Sequence, residues 1–571
     1  MYGKKNDFNK SQLVLIKKIM KYNLVYNKNS FFLFFVYFLA IIIGLLIFKD
    51  YGIHIEEKYH RLNGHYWLNY ICKIFNFTEL QIITENKISK IYDYTLSPVT
   101  YYNKWGAVFD VPVALLEILF KLENINQVYY LKHFISYLTF LLGSFFFFKI
   151  LNQRYKNFNL SLLGLILYLT SPRIFGDSFL YKDILFLSFF SITLFFFIKS
   201  VKKFNYFNLI FFSFFSAICF NLKIFTILIP FLFLILLIIQ NFYKKDFFNF
   251  FKKFLFYIFF FILFTYLLWP YLWSDPLKSF VELFTSVKID LINVRILFFN
   301  EYVQNRFLPT HYIISWIFIS SSIIQSFLFL LGFLYCCVRI IRRLLKIKET
   351  TIFNDLWRGE KERIDFIISF IFISYFIFFI VFNAPFYNGW RLVYFFNFFI
   401  IFFGINFIYN NLIFFRKKKI FKSSILINST FVILVISNLH SLISYHPFQS
   451  IYFNNFFNKK IINGFEGDYY GLSSKHFFEK ILEIDKREKI KIAVACHTPL
   501  QRGLEAFPLN IQEKFQIIGQ DYANADYVYK NNISEVNIKL NNKYEIPKNF
   551  SKIYEFNIKK LLVYEIYKVK F

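Results

Sequence analysis

Long uninterrupted apolar runs are the feature of this sequence that most constrains its fold. A helix needs about 20 apolar residues to cross the roughly 30 Å hydrocarbon core of a bilayer. Eleven runs approach or reach that length, although two are short: 31–48, 131–150, 158–170, 183–199, 207–220, 224–243, 253–269, 312–338, 365–383, 391–410 and 424–444. A backbone surrounded by lipid must satisfy its own hydrogen bonds, so these runs predict membrane-spanning helices. They exclude an ordinary soluble enzyme, a disordered chain and a disulfide scaffold.

The net charge of +30 could indicate nucleic-acid binding, but the positions of the basic residues argue against it. If the N-terminus is cytoplasmic, the segments on that side contain 29 basic residues against 6 acidic ones. Those segments are 1–30, 151–157, 199–206, 244–253, 339–364 and 411–423. An excess of Lys and Arg marks the cytoplasmic side of a membrane protein. The distribution of charge therefore predicts the orientation of the protein in the membrane and contact of its basic residues with the lipid bilayer. We expect no nucleic-acid partner.

We therefore expect an all-α polytopic membrane protein with about eleven transmembrane helices and a small C-terminal α/β domain. An odd number of spans places the two termini on opposite sides. The expected parts are a cytoplasmic segment (1–30), a transmembrane domain (31–445) with a long first outer loop (49–130), and an extracytoplasmic domain (446–571). In a bacterium this arrangement means a multi-pass inner (plasma) membrane protein with a periplasmic C-terminal domain.

The C-terminal part carries its own secondary-structure signals. Residues 491–496 form an apolar run typical of a buried strand, and 561–570 alternate like a strand. Residues 473–486 have the spacing of an amphipathic helix. These signals predict a folded domain rather than an extended tail.

Polar residues with chemical potential gather on the predicted outer face. Two adjacent carboxylates, Glu56 and Glu57, follow the first span, and a loop as long as 49–130 is usually functional. The other candidates on this face are Asp183 as a catalytic acid, and Arg173, Lys182, His311, Arg391, His60 and Asp468 as substrate-binding groups. Each has a plainer alternative: a helix cap for Asp183, a glycine-rich turn for Asp468, and an interfacial or snorkelling role for the cations.

Such a one-sided arrangement suits a reaction between a lipid-borne donor and an acceptor at the membrane surface. A polyprenyl-phosphate sugar places its phosphate at the interface, where cations stabilise the charge that develops on the leaving group. The acceptor hydroxyl or amine needs a base. One carboxylate can supply that base in a single inverting displacement, and a neighbouring acidic group could raise its pKa.

At these residues the chain resembles the GT-C glycosyltransferases, in particular bacterial family 39, which is related to protein O-mannosyltransferases and the lipid A aminoarabinose transferase. The similarity runs from about residue 31 to the C-terminus, and Glu56-Glu57 and Lys182-Asp183 stand where that family has its acidic residues. Supporting segments are Ser171-Pro172-Arg173, Trp269-Pro270, Asn388-Gly389-Trp390-Arg391, His446-Pro447 through Tyr452-Phe453-Asn454, and Glu466-Gly467-Asp468-Tyr469-Tyr470.

The resemblance implies transfer of a hexosyl or pentosyl group from a polyprenyl-phosphate donor to a lipid, glycan or protein acceptor, as in the assembly of a cell-envelope glycan. One departure concerns the base, because the family usually has Asp where this chain has Glu56. Alignment of the motif favours Glu56 as the base and Glu57 as its helper, but leaves the choice between them open.

No metal ligand is assigned from the sequence. His54, His60 and His65 flank the Glu pair, but their spacing matches no established zinc site. Some GT-C enzymes use a divalent ion and others do not, so no cofactor is certain and a divalent metal ion stays open.

Two other functions compete with the transferase. A transporter or lipid flippase without covalent chemistry would carry ionisable residues deep within its spans. A non-catalytic assembly or sensor protein would use residues 446–571 as its binding module.

Overall fold

The computed structural model describes residues 28–91, 104, 106–180, 183–202, 204–244, 247–289, 294–345, 356–357, 359–387, 389–418, 421–535 and 537–570. Most of the predicted cytoplasmic segment, residues 1–27, lies outside this range, as do Lys182 and Asn388. The described part of the chain is mostly helical, with a small sheet domain near its C-terminus. The fold class expected from the apolar runs is confirmed at this level.

Seventeen helices precede the sheet domain in the described residues, apart from short 3-10 turns. They are α1 (Lys28–Ile47), α2 (Glu57–Ile74), α3 (Thr78–Ile91), α4 (Asp110–Leu119), α5 (Ile125–Tyr155), α6 (Phe158–Thr170), α7 (Pro172–Asp177), α8 (Asp183–Lys202), α9 (Tyr206–Leu222), α10 (Leu228–Lys244), α11 (Phe247–Leu268), α12 (Pro276–Ile289), α13 (Tyr312–Ser320), α14 (Ile323–Leu344), α15 (Glu360–Val381), α16 (Phe396–Lys417) and α17 (Phe421–Ser444). A hairpin of β1 (Arg295–Phe298) and β2 (Glu301–Gln304) lies between α12 and α13.

Seven of these helices are long and apolar enough to cross a membrane: α1, α5, α8, α11, α14, α15 and α16. Shorter apolar helices occupy four of the other predicted spans, in α6, α9, α10 and α17. The structure thus indicates a multi-pass membrane protein. The count of eleven spans and the side on which each terminus lies stay predictions.

One predicted span is broken in the structure. The apolar run 312–338 forms two helices, α13 and α14, which are separated at Ser321, whose backbone is extended. Three consecutive serines lie at the break, and the Asn454 side chain donates hydrogen bonds to the carbonyls of Phe318 (2.6 Å) and Ser321 (3.0 Å). At such a break the backbone carbonyls lose their helical partners, and here a residue far away in the sequence satisfies them. An apolar pattern therefore does not reveal the break.

The loop 49–130 folds into a small bundle of α2, α3 and α4. Gly64 allows α2 to lie directly on α4, because a Cβ there would come 2.4 Å from the carbonyl oxygen of Asp110. Glu117 ties the bundle together: Arg61 donates two hydrogen bonds to its carboxylate (2.9 and 2.7 Å), and His65 lies 3.0 Å from it. These buried pairs hold α2 against α4.

The described part of the tail domain contains three short helices, α18 (Lys459–Ile462), α20 (Gln501–Leu504) and α21 (Leu509–Gln512), and one 12-residue helix, α19 (Ser473–Ile484). Its sheet has the order β4 (Phe515–Ile517), β3 (Ile490–Val494), β5 (Tyr527–Lys530), β7 (Leu561–Val569), β6 (Phe550–Ile558). Strand β3 is parallel to β4 and β5, whereas β7 is antiparallel to β5 and β6. The strands predicted at 491–496 and 561–570 and the helix predicted at 473–486 are confirmed.

Candidate functional site

Glu56 and Arg391 meet in the structure although 335 residues separate them in the chain. Glu56 immediately precedes α2, and Arg391 begins a short 3-10 turn ahead of α16. The Nη2 of Arg391 donates a hydrogen bond to Glu56 Oε1 over 2.8 Å. The Arg391 side chain is only 5% exposed, whereas Glu56 is 22% exposed. Glu56 is therefore a carboxylate that solvent or a substrate can reach, paired with a cation that is almost fully buried.

Asp183 and Lys223 form a second ion pair next to the first. Asp183 begins α8, as predicted, and Lys223 directly follows α9. The Nζ of Lys223 lies 2.5 Å from Asp183 Oδ1, while Arg391 Nε lies 3.9 Å from Asp183 Oδ2. Arg391 thus stands between two carboxylates, and Lys223 neutralises the one that lies farther away.

Lys223 was missed as a site residue by the sequence analysis. The one signal that marked it was its position as the sole basic residue of a three-residue connection between two apolar runs. The predicted cation Lys182, which precedes Asp183, lies outside the described residues, so its phosphate-binding role stays a prediction.

Aromatic rings surround the Arg391 guanidinium. The ring centres of Tyr387, Tyr469 and Tyr470 lie 5.3, 5.3 and 5.5 Å from it, within the range of cation–π contact. The His54 ring packs against Tyr470 at 4.3 Å, and its Nδ1 accepts a hydrogen bond from the backbone N–H of Glu56. Burial lowers the pKa of His54 to about 4, so this ring is neutral near pH 7. The site therefore has an aromatic wall beside its charged cluster.

Glu57 has surroundings entirely different from those of Glu56. Its side chain is buried, its Oε1 lies 3.0 Å from Nε2 of His133, and the same oxygen accepts the backbone N–H of His54 over 2.9 Å. Burial alone would raise the pKa of Glu57, but His133 and Lys132 outweigh it and lower the pKa. The structure therefore separates the two candidates: Glu57 anchors the start of α2, and Glu56 faces the site.

A further layer of polar residues lies around α7, close enough for Asp177 and Arg173 to interact electrostatically with the cluster. Arg173 is held between the rings of Trp316 and Phe453, at 5.2 and 5.4 Å, and its Nη2 donates to the carbonyl of Tyr452 over 3.1 Å. Gly389, with φ of +67°, gives this guanidinium room, since a Cβ there would lie 3.2 Å from Nη1. Arg173 thus lies near Asp177, which also interacts with Asp183 and Arg391.

Asp177 is the second residue that sequence reasoning missed. It is 3% exposed, and neither carboxylate oxygen has a hydrogen-bond partner of normal geometry. Burial raises the pKa of Asp177 to about 7, although the Tyr394 hydroxyl and Arg173 act in the opposite direction. No spacing or motif marked this residue, because its burial arises from packing among distant parts of the chain.

The remaining candidates have local structural partners. His60 Nδ1 lies 3.2 Å from Asp110 Oδ2 within the α2–α4 bundle. The carboxylate of Asp468 accepts the backbone N–H groups of Leu472 (3.0 Å) and Ser473 (2.7 Å), which caps α19. His311 is exposed at the start of α13, with its ring 5.7 Å from that of Phe298. These contacts favour the structural alternative for Asp468 and His60 and leave the substrate-binding role of all three as a prediction.

The tail domain contributes directly to the site. The carbonyl of Tyr470 accepts the backbone N–H of Ile55, next to Glu56, over 3.2 Å. Glu505 in the tail lies 3.6 Å from Lys58 of α2 and accepts the Tyr129 hydroxyl of α5 over 2.9 Å. The turn that carries Tyr469 and Tyr470 is therefore bonded to the residue before Glu56, and the tail also contacts α2 and α5 through Glu505.

No group of three or more His, Cys, Asp and Glu side chains is placed to hold a metal ion in the part of the chain that the structure describes. Neither models of known protein families nor curated proteins match the chain.

Proposed function

We propose that this chain is an inverting glycosyltransferase that moves a sugar from a polyprenyl-phosphate donor to an acceptor, with Glu56 as the general base. One observation carries the proposal. Glu56 is a solvent-accessible carboxylate set among two well-buried cations, Arg391 and Lys223, and a wall of tyrosine rings. Base, phosphate-binding cations and a sugar-stacking surface are the parts that such a reaction requires.

In the proposed reaction the acceptor oxygen or nitrogen attacks the anomeric carbon of the donor sugar. A new bond forms to that carbon, and the bond from the carbon to the phosphate oxygen breaks with its electron pair remaining on the phosphate. The acceptor proton passes to Glu56, and polyprenyl phosphate leaves. Attack from the face opposite the phosphate inverts the anomeric configuration. Arg391 and Lys223 stabilise the charge that develops on the leaving oxygen.

The proposal agrees with the resemblance to family 39 of the GT-C glycosyltransferases, and we propose that the chain belongs to that group. The burial of Glu57 supports the assignment of Glu56 as the base, although the family usually has Asp there. The proposed setting is the outer face of the inner membrane, where the product is a hexosyl- or pentosyl-modified lipid, glycan or protein of the cell envelope.

The transporter or flippase alternative depends on charged groups within the spans. The clearest such group is Asp365 in α15, which is bound by Arg154 of α5 (2.6 Å) and Arg339 of α14 (2.8 Å). Arg154 lies one residue before the end of α5, and Asp365 is the sixth residue of α15. A hydrogen-bonded cluster near helix ends supports a static clamp between helices more than an ion path.

The proposal is tested by complementing a deletion strain with the wild type and single variants and comparing lipid-linked glycans by mass spectrometry. Glu56→Gln removes the base and should reduce transfer by about a hundredfold or more. Glu79→Gln, an exposed carboxylate of α3 in the same loop, is the matched control and should restore the wild-type profile. A wild-type glycan profile with Glu56→Gln would refute the proposed function.

A further inference from the structure

Arg391 has more than one carboxylate within reach, and they hold it unequally. Its Nη2 lies 2.8 Å from Glu56 Oε1, but its Nε lies 3.9 Å from Asp183 Oδ2 and makes no hydrogen bond. Asp183 is already bound by Lys223 at 2.5 Å. In this structure the guanidinium therefore hydrogen-bonds to Glu56, while its buried Nε–H has no acceptor.

This pairing occupies two groups that the proposed reaction needs. A carboxylate paired with a guanidinium takes up a proton poorly, because the cation stabilises the charged form. A guanidinium paired with a carboxylate is likewise occupied as a ligand for phosphate. The geometry of this structure thus pairs the proposed base with the principal phosphate-binding cation.

The surroundings of Arg391 allow it to change partner without leaving the site. Three tyrosine rings, of Tyr387, Tyr469 and Tyr470, lie 5.3 to 5.5 Å from the guanidinium, and cation–π attraction persists when the guanidinium turns over a ring face. The Asp183 carboxylate, which is hydrogen-bonded to Lys223, lies on the Nε side of the guanidinium. A phosphate that binds here can accept two parallel N–H groups, which a single carboxylate oxygen of Glu56 does not.

We propose that Arg391 has two alternative partners: it pairs with Glu56 before the donor binds and moves to the donor phosphate on binding, which frees Glu56. This inference rests on the proposed function. It implies that the donor binds before the acceptor is deprotonated, so that Glu56 becomes an effective base only when a sugar donor is in place.

The exchange makes a prediction opposite to that of an ordinary binding residue. If Glu56 competes with phosphate for Arg391, removing the Glu56 charge should tighten phosphate binding even though it abolishes transfer. Farnesyl phosphate is titrated into the full-length protein in lipid nanodiscs, with farnesol as the control for binding through the prenyl chain alone. Glu56→Gln should bind farnesyl phosphate about tenfold more tightly than the wild type. Glu56→Ser removes the same carboxylate and provides a second measurement of the gain.

A double-substitution cycle separates exchange from simple charge repulsion. The gain from Glu56→Gln should disappear when Arg391→Gln is also present, because no guanidinium remains to be released. Glu57→Gln removes a carboxylate from the adjacent residue. Because Glu57 pairs with His133 and not with Arg391, this substitution should change the affinity for farnesyl phosphate less than about twofold.

Three results would overturn the exchange: no gain with either Glu56 variant, an equal gain in the Arg391→Gln background, or wild-type affinity for farnesyl phosphate no better than for farnesol. The two proposals fail separately. Retained transfer with Glu56→Gln refutes the glycosyltransferase assignment, whereas lost transfer without tighter phosphate binding refutes only the exchange of partners.

Discussion

Asp177 provides the sharpest test of the electrostatics around the site. The residue ends α7, outside the seven apolar helices, and its carboxyl group is buried without a normal hydrogen-bond partner. A buried carboxyl group favours the neutral form, and burial raises the pKa of Asp177 from 3.8 to about 7. Asp177→Asn replaces it with a side chain of the same shape that does not titrate, which isolates the contribution of this one proton.

The magnitude follows from the difference between the folded and unfolded pKa values. Because the folded pKa is the higher one, folding takes up a proton, and the stabilisation present at low pH is lost as the pH rises through about 7. A shift from 3.8 to about 7 corresponds to about 4 kcal/mol over the whole titration. Between about pH 5 and about pH 8, the wild type should lose about 2.5 kcal/mol of unfolding free energy relative to Asp177→Asn.

The assay is thermal unfolding in detergent at a series of pH values, followed by the intrinsic fluorescence of the seven tryptophans. The quantity compared is the pH dependence of the difference between the two proteins, since a constant offset from the Asn amide cancels. The unfolding free energy of Asp177→Asn, relative to that of the wild type, should rise between about pH 5 and about pH 8. Parallel pH profiles for the two proteins would show that Asp177 does not change its protonation on folding, and the reasoning from burial would be wrong.

Two further predictions concern the helix bundle, and thermal unfolding measures both. Asp365→Asn leaves Arg154 buried without its charged partner and should cost about 3 to 5 kcal/mol. The control Glu362→Gln, at a partly exposed pair, should cost less than about 1 kcal/mol, and equal losses would contradict the clamp. Gly332→Ala should cost about 1 to 3 kcal/mol, because its Cβ would come 1.8 Å from a backbone carbonyl of α16. Gly404→Ala meets its nearest neighbour at 3.5 Å and should be neutral or stabilising, so a Gly332→Ala variant as stable as Gly404→Ala would refute the close approach of α14 and α16.

Several residues of the site could be predicted from the sequence, but their contacts with one another could not. Glu56, Asp183 and Arg391 were identified from their positions at the ends of apolar runs, and the structure brings these three together. His60, His311 and Asp468 were also placed on the predicted outer face, yet their described contacts are with Asp110, Phe298 and the backbone of Leu472 and Ser473, respectively. Position at the end of a span places a polar residue near one face of the bundle, but it does not say which others share its pocket.

The sequence by itself determined the features that depend on neighbouring residues. Uninterrupted apolar runs predict helices that suit a bilayer, and alternation near the C-terminus predicts strands, because both patterns repeat over a few residues. The break at Ser321 escaped this reasoning, since its backbone is satisfied by Asn454 from a distant segment.

Only the tertiary structure decided the surroundings of adjacent or unmarked residues. The sequence favours Glu56 over Glu57 but leaves the choice open, whereas in the structure a turn at the start of α2 leaves Glu56 partly exposed and buries Glu57 against His133. Packing of α7, α8 and α9 brings Lys223 and Asp177 close to Asp183, and no local sequence pattern predicts this packing. Burial and charge pairing are properties of residues far apart in the chain, and the chemistry proposed for this protein depends on both of them.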